Sequence, residues 1–293
     1  MDNFRAYKSF IEQFFQVLDR ETQQPVDFRF NKVQAKYYDI LIRDYDNFNG
    51  VREIVLKARQ QGFSSLILAL FTVDFLMYDH SISICVSHRK DATELLFKKV
   101  KFYIESYCAK KNLNPKDVLL TDNKNMIENK LNRAMFYIGS AGTKVGGRGG
   151  SAKNFHASEA SFFADTQKIT AQEIITATAQ QIPQGKGMIF LESTGGMEDD
   201  YYYDEWQRAK RGDSTYRPRF FSWEEFYTKE WVEEKKKDFP NAALWKREYP
   251  KDEIEAFLGT GTPYFDTDKL RAMLDKNAQP IRQGRLTVTG EWV

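Results

Sequence analysis

Residues 51–78, VREIVLKARQQGFSSLILALFTVDFLMY, pass from a β-branched run through a polar turn with one glycine into an apolar stretch. The layout predicts a strand ending at Lys57, a loop Ala58-Arg59-Gln60-Gln61-Gly62-Phe63-Ser64, and a helix starting near Ser64 or Ser65. Such a helix aims its first free amides, and the positive end of its dipole, at whatever the loop holds, which suits the phosphates of a nucleotide. The usual phosphate loop reads G-x-x-x-x-G-K-[ST]. Here Gly62 and Ser64 match, Phe63 stands where the lysine belongs, and the first glycine is absent. The lysine's task can pass to Lys57, whose flexible stem can fold back from the strand end toward the β- and γ-phosphates. Gly62 would let the backbone approach, and the Ser64 hydroxyl would ligate Mg²⁺. A simpler alternative stays open at this point: Lys57 ends an edge strand, and Ser64-Ser65 caps a helix.

With 293 residues and 42% hydrophobic content, the chain can bury a sizeable core and a smaller subdomain. Its 43 basic and 41 acidic residues leave a net charge of +2, so any nucleic-acid contact must use a local patch. Cys85 and Cys108 cannot make a disulfide framework or a zinc site, and three histidines make metal clusters a poor reading. A reducing cytosol is the simplest setting. The beginning, MDNFRAYKSF, has no secretory signal, and the apolar run 66–73 is stopped by Asp74 well short of a membrane span.

Strand-like and helical segments alternate through Tyr203, which predicts an α/β fold with a mostly parallel sheet flanked by helices. Expected strands are 54–57, 82–87, 153–157 and 188–192; expected helices are 64–78, 91–107 and 170–179. In the second helix Ala92, Leu95, Leu96, Val100 and Tyr103 are expected on one buried face. Segments 126–130 and 133–138 read as a hairpin around Leu131-Asn132, and 139–150, GSAGTKVGGRGG, as a mobile surface loop. Residues 195–249 read as a small lid-like subdomain over the nucleotide. Its aromatics Tyr201, Tyr202, Tyr203, Trp206, Phe220, Phe221, Trp223 and Phe226 are expected to form its core, since duplex DNA hides its base faces. Lys235, Lys236 and Lys237 read as a solvated helix face.

A second constellation is NFHASEASFF, 154–163, where a strand runs into a carboxylate. Glu159 is the candidate base that orients and deprotonates an attacking water. Ser158 stands where an aspartate would hold Mg²⁺ through water; its hydroxyl can still meet a metal-bound water but adds no charge, so Mg²⁺ would lean on ATP and Ser64. Glu159 as a plain surface glutamate is the alternative, and His156 reads as core. A third element is Arg148 in GGRGG. A guanidinium on a flexible loop can stabilise the charge of phosphoryl transfer, worth roughly 10³–10⁵ in rate in known systems. The same loop, with Lys144, could instead contact DNA phosphates.

Taken together, KARQQGFS, FHASEASFF, FLESTGG and EYPKDEIEAFLGTGTPYFD resemble the large terminase subunit of tailed bacteriophages across nearly the whole chain. The resemblance implies a RecA-like P-loop ATPase domain with ATP and Mg²⁺ as cofactors, in which the lysine can move to the start of the loop, as Lys57 requires, and serine can replace the aspartate, as at Ser158. Glu159, Lys57 and Arg148 would then be catalytic, with Arg148 acting on the neighbouring subunit. Nucleotide contacts would come from Lys57, Arg59, Gln60, Gln61, Gly62, Phe63, Ser64 and Ser65, and from Gln34 in FNKVQAKYY as the adenine-reading glutamine. The segment Glu192, Ser193, Thr194, Gly195 is similar to the family's coupling motif, with Ser193 and Thr194 sensing the γ-phosphate.

The implied organisation is 1–50 as an N-terminal helical segment bearing the adenine motif, 51–195 as the ATPase core, 196–255 as lid and linker, and 256–293 as a linker. Implied partners are double-stranded DNA, the portal protein, the small terminase subunit, and further copies in a homo-oligomeric ring on the procapsid, in the host cytoplasm and with no membrane. An isolated domain would be monomeric and nearly inactive. After 255–257 only a linker-like tail with Asp266 and Asp268 follows, so the family's RNase H-like nuclease is not expected in this polypeptide. Two other readings stay open: a helicase-like ATPase acting on single strands, and a non-catalytic nucleotide-binding module, suggested by Phe63 and Ser158.

Overall fold

The segment that dominates the sequence folds as a strand, Val51–Lys57, and a helix, Phe63–Met77, joined by a short turn. In the computed structural model the described residues are 4–141, 151–165, 169–185, 187–196 and 200–257, with Lys269 and Met273 beyond them. The chain divides into two units, 1–258 and 259–293, and the sheet and the site belong to the first. Arg148, Lys144, Asp266 and Asp268 lie outside the described residues.

In chain order the elements begin with α1 (Tyr7–Phe14), β1 (Gln16–Leu18), β2 (Pro25–Asp27), α2 (Lys32–Phe48), β3 (Val51–Lys57), α3 (Phe63–Met77), β4 (Ile82–Ser87) and α4 (Lys90–Lys110). They continue with α5 (Pro115–Val118), β5 (Leu119–Asp122), β6 (Met126–Asn129), β7 (Met135–Ser140), β8 (Asn154–Ser158), α6 (Ala171–Ala179) and β9 (Met188–Ser193). Last come α7 (Tyr201–Arg211), β10 (Arg217–Phe221), α8 (Lys229–Lys236), α9 (Ala242–Glu248) and α10 (Glu253–Phe257). Apart from the β1-β2 hairpin, the strands form one sheet in the order β10-β3-β9-β8-β4-β7-β6-β5. From β10 to β7 neighbours run parallel; β6 and β5 add an antiparallel end.

Alternation along the buried strands divides the core into two layers. Val51, Val55, Cys85 and Phe190 face α1 to α4 on one side. Ile54, Leu56, Ile84, Phe155, Ile189 and Leu191 face α6, α7 and α10 on the other. Helix α3 is apolar nearly all round because it lies beneath α1 and α4 against the sheet. The acid that interrupts its apolar run, Asp74, is fully buried and holds Lys153 at 3.0 Å, Asn154 Nδ2 at 2.6 Å and the Tyr7 hydroxyl, which fastens α3 to the start of β8.

Four expectations need correction. The buried face of α4 is Leu96, Phe97, Val100, Tyr103 and Ile104, whereas Leu95 is 61% exposed and Ala92 only half-buried, because packing against α3 and β7 turns the helix. Gly139 and Ser140 extend β7 beside β4 rather than opening a loop. Strand β3 is no edge, since β10 pairs outside it; the edge position is what tolerates Pro218 within β10. And the aromatic segment after 195 divides: Tyr202 and Trp206 join the core with Ile54, Phe221 packs on Phe63 at 4.7 Å, and only the part from Trp223 to Tyr249 builds a separate small cluster on Ala58.

Within that cluster the rings stack on one another, Tyr227 on Trp231 at 3.8 Å and Trp245 on Tyr249 at 4.5 Å, so they serve as core. Lys235, Lys236 and Lys237 pair with Asp238, Glu233 and Glu234 close by in sequence, as a solvated face should. Strand β10 is anchored by charge. Arg217 and Arg219 reach Asp44 of α2 at 2.9 and 2.7 Å and Glu53 of β3 at 3.2 and 2.8 Å. Burial pushes the Glu53 carboxyl up to about 8, and a hydrogen bond to Asp44 adds to the shift.

Candidate nucleotide site

The turn between β3 and α3 takes its shape from two left-handed residues, Gln60 at φ 64° and Gly62 at φ 86°. Gly62 precedes α3 without a side-chain cap, so the first amides of this 15-residue helix have no capping side chain. The turn rests on the beginning of α2. Asn31 caps that helix and donates from Nδ2 to Gln61 O at 3.0 Å; Gln34 accepts from Asn31 N–H at 3.1 Å and donates from Nε2 to Gly62 O at 2.8 Å. Gln34 is thus placed at the loop, with its amide holding the turn. A Cβ on Gly62 would stand 2.6 Å from Gln34 Nε2, which with the positive φ explains the glycine.

Strand alternation puts Lys57, Ser158 and Glu192 on the α3 side of the sheet, at the carboxyl ends of β3, β8 and β9. Lys57 is 4% exposed and lies 3.2 Å from Glu159 Oε1 and 3.3 Å from Glu192 Oε2. Burial alone would lower the lysine's pKa, but the two carboxylates outweigh it and raise the pKa above its ordinary value, so Lys57 stays charged. Glu192 is fully buried; its Oε1 accepts from Ser64 Oγ at 2.5 Å and Ser158 Oγ at 3.1 Å and lies 3.3 Å from His156 Nε2. Burial raises its pKa, yet Lys57, His156 and Ser64 together hold the carboxyl well below the usual range. His156 is buried, as expected of a core residue, and also touches Cys85 Sγ at 3.6 Å.

Glu159 follows β8 in a left-handed conformation, φ 56°. Its Oε2 accepts from Thr194 N–H at 3.3 Å and from the hydroxyls of Ser193 and Thr194 at 3.4 and 3.5 Å. This glutamate is no free surface group. The next residue along β9's exit, Gly195, meets α10 so closely that a Cβ would collide with the Ala256 carbonyl. Two stretches singled out in the sequence, FLESTGG and the run containing EIEAF, therefore touch.

Not every expected contact points inward. Arg59 turns its backbone N–H to Glu248 O at 2.9 Å and its guanidinium to the Glu248 carboxylate at 2.5 Å, and its carbonyl accepts from the Tyr227 hydroxyl at 2.8 Å. Gln61 Nε2 donates to Ser222 O at 2.7 Å, and Tyr249 donates to Gln60 Oε1 at 3.5 Å. The polar ends of Arg59 and Gln61 thus bolt the loop to the end of α9 and to the residue that follows β10, while both residues line the cavity. Phe63 is core, packed on Tyr37 and Phe221. Lys99 of α4, which no motif singled out, donates from Nζ to Ser65 Oγ at 2.9 Å. Its only signal in the sequence is its place on a helix that must cross α3.

A cavity of about 550 Å³ is bounded by the loop, Asn31, Gln34, Lys57, Lys99 and Glu159, with Val17, Leu18 and Phe28 from the β1-β2 hairpin and its flank. A second, of about 780 Å³, shares Ser64, Ser65, Lys99 and Glu159 and runs along α4 past Leu95 and Phe102. The lining of the first combines apolar side chains with several cations, Arg20 and Arg29 from the hairpin and its flank among them, and one carboxylate, Glu159.

A mostly parallel sheet with a glycine-bearing turn after β3 and an acidic residue after β8, the two strands separated by β9, is an α/β fold of the RecA-like kind. More narrowly, the fold is that of the ATPase domain of phage large terminases. The large terminase of bacteriophage HK97 superposes with a TM-score of 0.60 at 15% identity, over 92% of this chain and 58% of that one. The ATPase domain of the Thermus phage P74-26 large terminase gives 0.50 at 13% identity, covering 76% of this chain and 98% of that domain. The large terminase of a thermophilic bacteriophage, solved in complex with ATP-gamma-S, gives 0.52 at 10% identity, over 74% and 51% of the two chains. At these identities the likeness is one of fold, and this chain spans a little over half the length of the HK97 protein. No family model matches the sequence, nor does any curated protein.

Proposed function

We propose that this chain is the ATP-hydrolysing motor domain of a viral large terminase, which drives double-stranded DNA into a procapsid. The observation that carries the reading is Lys57, buried and charged between Glu159 and Glu192 beside the uncapped start of α3. Lys57 and the first amides of α3 receive the terminal phosphates, Lys99 adds a second cation through its place at Ser65, and Gln34, which lines the same cavity, would read the base by exchanging its present bonds to Asn31 and Gly62. Ser64 would hold Mg²⁺ directly and Ser158 through water; the ion neutralises charge on the β- and γ-phosphates when bound. The hydroxyls of both residues converge on one buried carboxylate, a donor set that suits a hard cation.

Glu159 orients the attacking water and takes its proton. Because Ser193 and Thr194 bond to Glu159, any shift of that carboxylate is felt at the end of β9, and Gly195 passes it to α10. Arg148 completes the site of an adjacent protomer in a homo-oligomeric ring, a head-to-tail contact that closes by rotation. The ring would stand on the portal protein with the small terminase subunit as a further partner, in the host cytoplasm. No helix among the described residues is long and apolar enough to cross a membrane.

The test is turnover of ATP by protein assembled on double-stranded DNA, compared with Glu159→Gln. The variant should lose roughly 10²–10⁴ in rate and keep ATP affinity. Mixing Glu159→Ala with Arg148→Ala protein should restore part of the activity if the finger acts across the interface. Calorimetry showing no ATP binding would replace this reading with a non-catalytic module, and strand displacement on a forked duplex would replace it with a helicase-like one.

A further inference from the structure

We propose that Glu192 supplies, from one strand away, the metal-supporting carboxylate that Ser158 lacks. The inference rests on the ATPase reading above. Phosphate-loop ATPases hold Mg²⁺ with the loop hydroxyl and an aspartate on the acidic strand. Here the acidic strand is β8, and the position is a neutral serine.

In the parallel pairing of β8 with β9, Ser158 stands directly opposite Glu192. Adjacent strands are about 4.8 Å apart, so the carboxylate has moved sideways without leaving its level in the sheet. Glu192 is also directly opposite Val55 of β3, so its side chain rises between the Lys57 end and the Ser158 end of the site. Its reach is shown by two hydrogen bonds: Oε1 takes the hydroxyl of Ser64, the expected metal ligand, at 2.5 Å, and that of Ser158 at 3.1 Å. The other oxygen, Oε2, is buried and accepts no hydrogen bond, with Lys57 3.3 Å away.

Charge points the same way. Lys57 is shared by Glu159 and Glu192 beside the Ser64 hydroxyl, so neither carboxylate has that cation to itself. A fully buried carboxylate persists only with partners that offset its desolvation, and Lys57, His156 and the Ser64 and Ser158 hydroxyls supply them. A divalent cation arriving with a nucleotide would meet this carboxylate on its hydroxyl side. Glu192 was grouped with the coupling residues on sequence, but the coupling contacts to Glu159 are made by Ser193 and Thr194, while Glu192 makes those to the metal-side hydroxyls.

The experiment measures ATPγS affinity by calorimetry with and without Mg²⁺, and the Mn²⁺ spectrum of the Mn²⁺–ATPγS complex by electron paramagnetic resonance. Wild type should bind more tightly with Mg²⁺. Glu192→Gln should forfeit roughly 10–100-fold of that gain, the usual effect of removing a group that supports a metal site. Its metal-free affinity should be equal or higher, since Lys57 loses a competitor. Ser158→Asp added to Glu192→Gln should restore both the gain and the Mn²⁺ signal. Glu192→Asp keeps the buried charge, and with it the fold, but withdraws the carboxylate from Ser64; it should lose part of the gain. If both single variants keep the full gain, the inference is overturned and the ATPase reading stands. If wild type binds no ATPγS at all, the two fall together.

Discussion

Lys57 Nζ lies 3.2 Å from Glu159 Oε1, an ion pair that joins the ends of two parallel strands with a third between them. The same ammonium also serves Glu192, which is wholly buried. On the proposed function, a phosphate oxygen that claimed Lys57 would release Glu159 toward water, so that nucleotide binding and activation of the base would be linked through one cation.

That sharing gives Lys57 a structural role besides the proposed one. Lys57→Ala should cost about 3–5 kcal/mol, the usual effect of stranding a buried charge. Lys57→Ala combined with Glu192→Gln should recover most of the loss, because no buried charge is then left alone. Urea unfolding of the two variants checks this; equal instability would mean the lysine's packing matters more than its charge.

Gly62 is expected to tolerate no side chain. Gly62→Ala should lose about 1–2 kcal/mol from the left-handed backbone alone, and more from displacing the Gln34 amide. Gly212→Ala is the control: φ is +80° there, but nothing lies within 4 Å of the added carbon. The variant at Gly62 should therefore be the less stable of the two and should also bind ATP more weakly. Thermal melts and calorimetry that found the pair alike would remove Gln34 from the account.

Lys99 reaches the first turn of α3 from α4 and bonds Ser65 Oγ at 2.9 Å. Lys99→Met keeps the aliphatic stem and removes the charge. ATP affinity should fall roughly tenfold, about 1.4 kcal/mol, with little change in stability. Unchanged affinity would assign the lysine to the solvent.

Stability should depend on pH through Glu53. Its carboxyl is pushed up from an ordinary 4.5 to about 8, chiefly by burial, so between these values the folded protein holds a proton that the unfolded chain releases. Folding therefore loses stability as pH rises through this window, and levels off above it. Asp44 works at the other end: burial alone would raise its pKa, but its bonds to Glu53 and the two arginines lower it overall, so its contribution is lost as pH falls below the carboxylate range. Glu53→Gln should flatten the decline between the ordinary carboxylate value of 4.5 and about 8. Denaturation midpoints that still fall as steeply in the variant would show that another group is responsible.

The strand, the turn with Gly62, the helix after it, the hairpin around Leu131-Asn132 and the strand into Glu159 are legible in the residues alone. Each follows from a period of two or 3.6, or from a backbone angle only glycine adopts freely, and such preferences act within a few residues. Local preference also places Lys57 at the end of its strand and Glu159 just past the end of another. What it could not show is that β9 lies between β3 and β8, that Ser158 faces Glu192, that β10 closes the edge beyond β3, or that Lys99 arrives from α4 while Leu95 stays exposed. Strand order, register and helix rotation are decided by how separate segments exclude water together, so residues far apart in the chain meet only once the whole sheet is assembled.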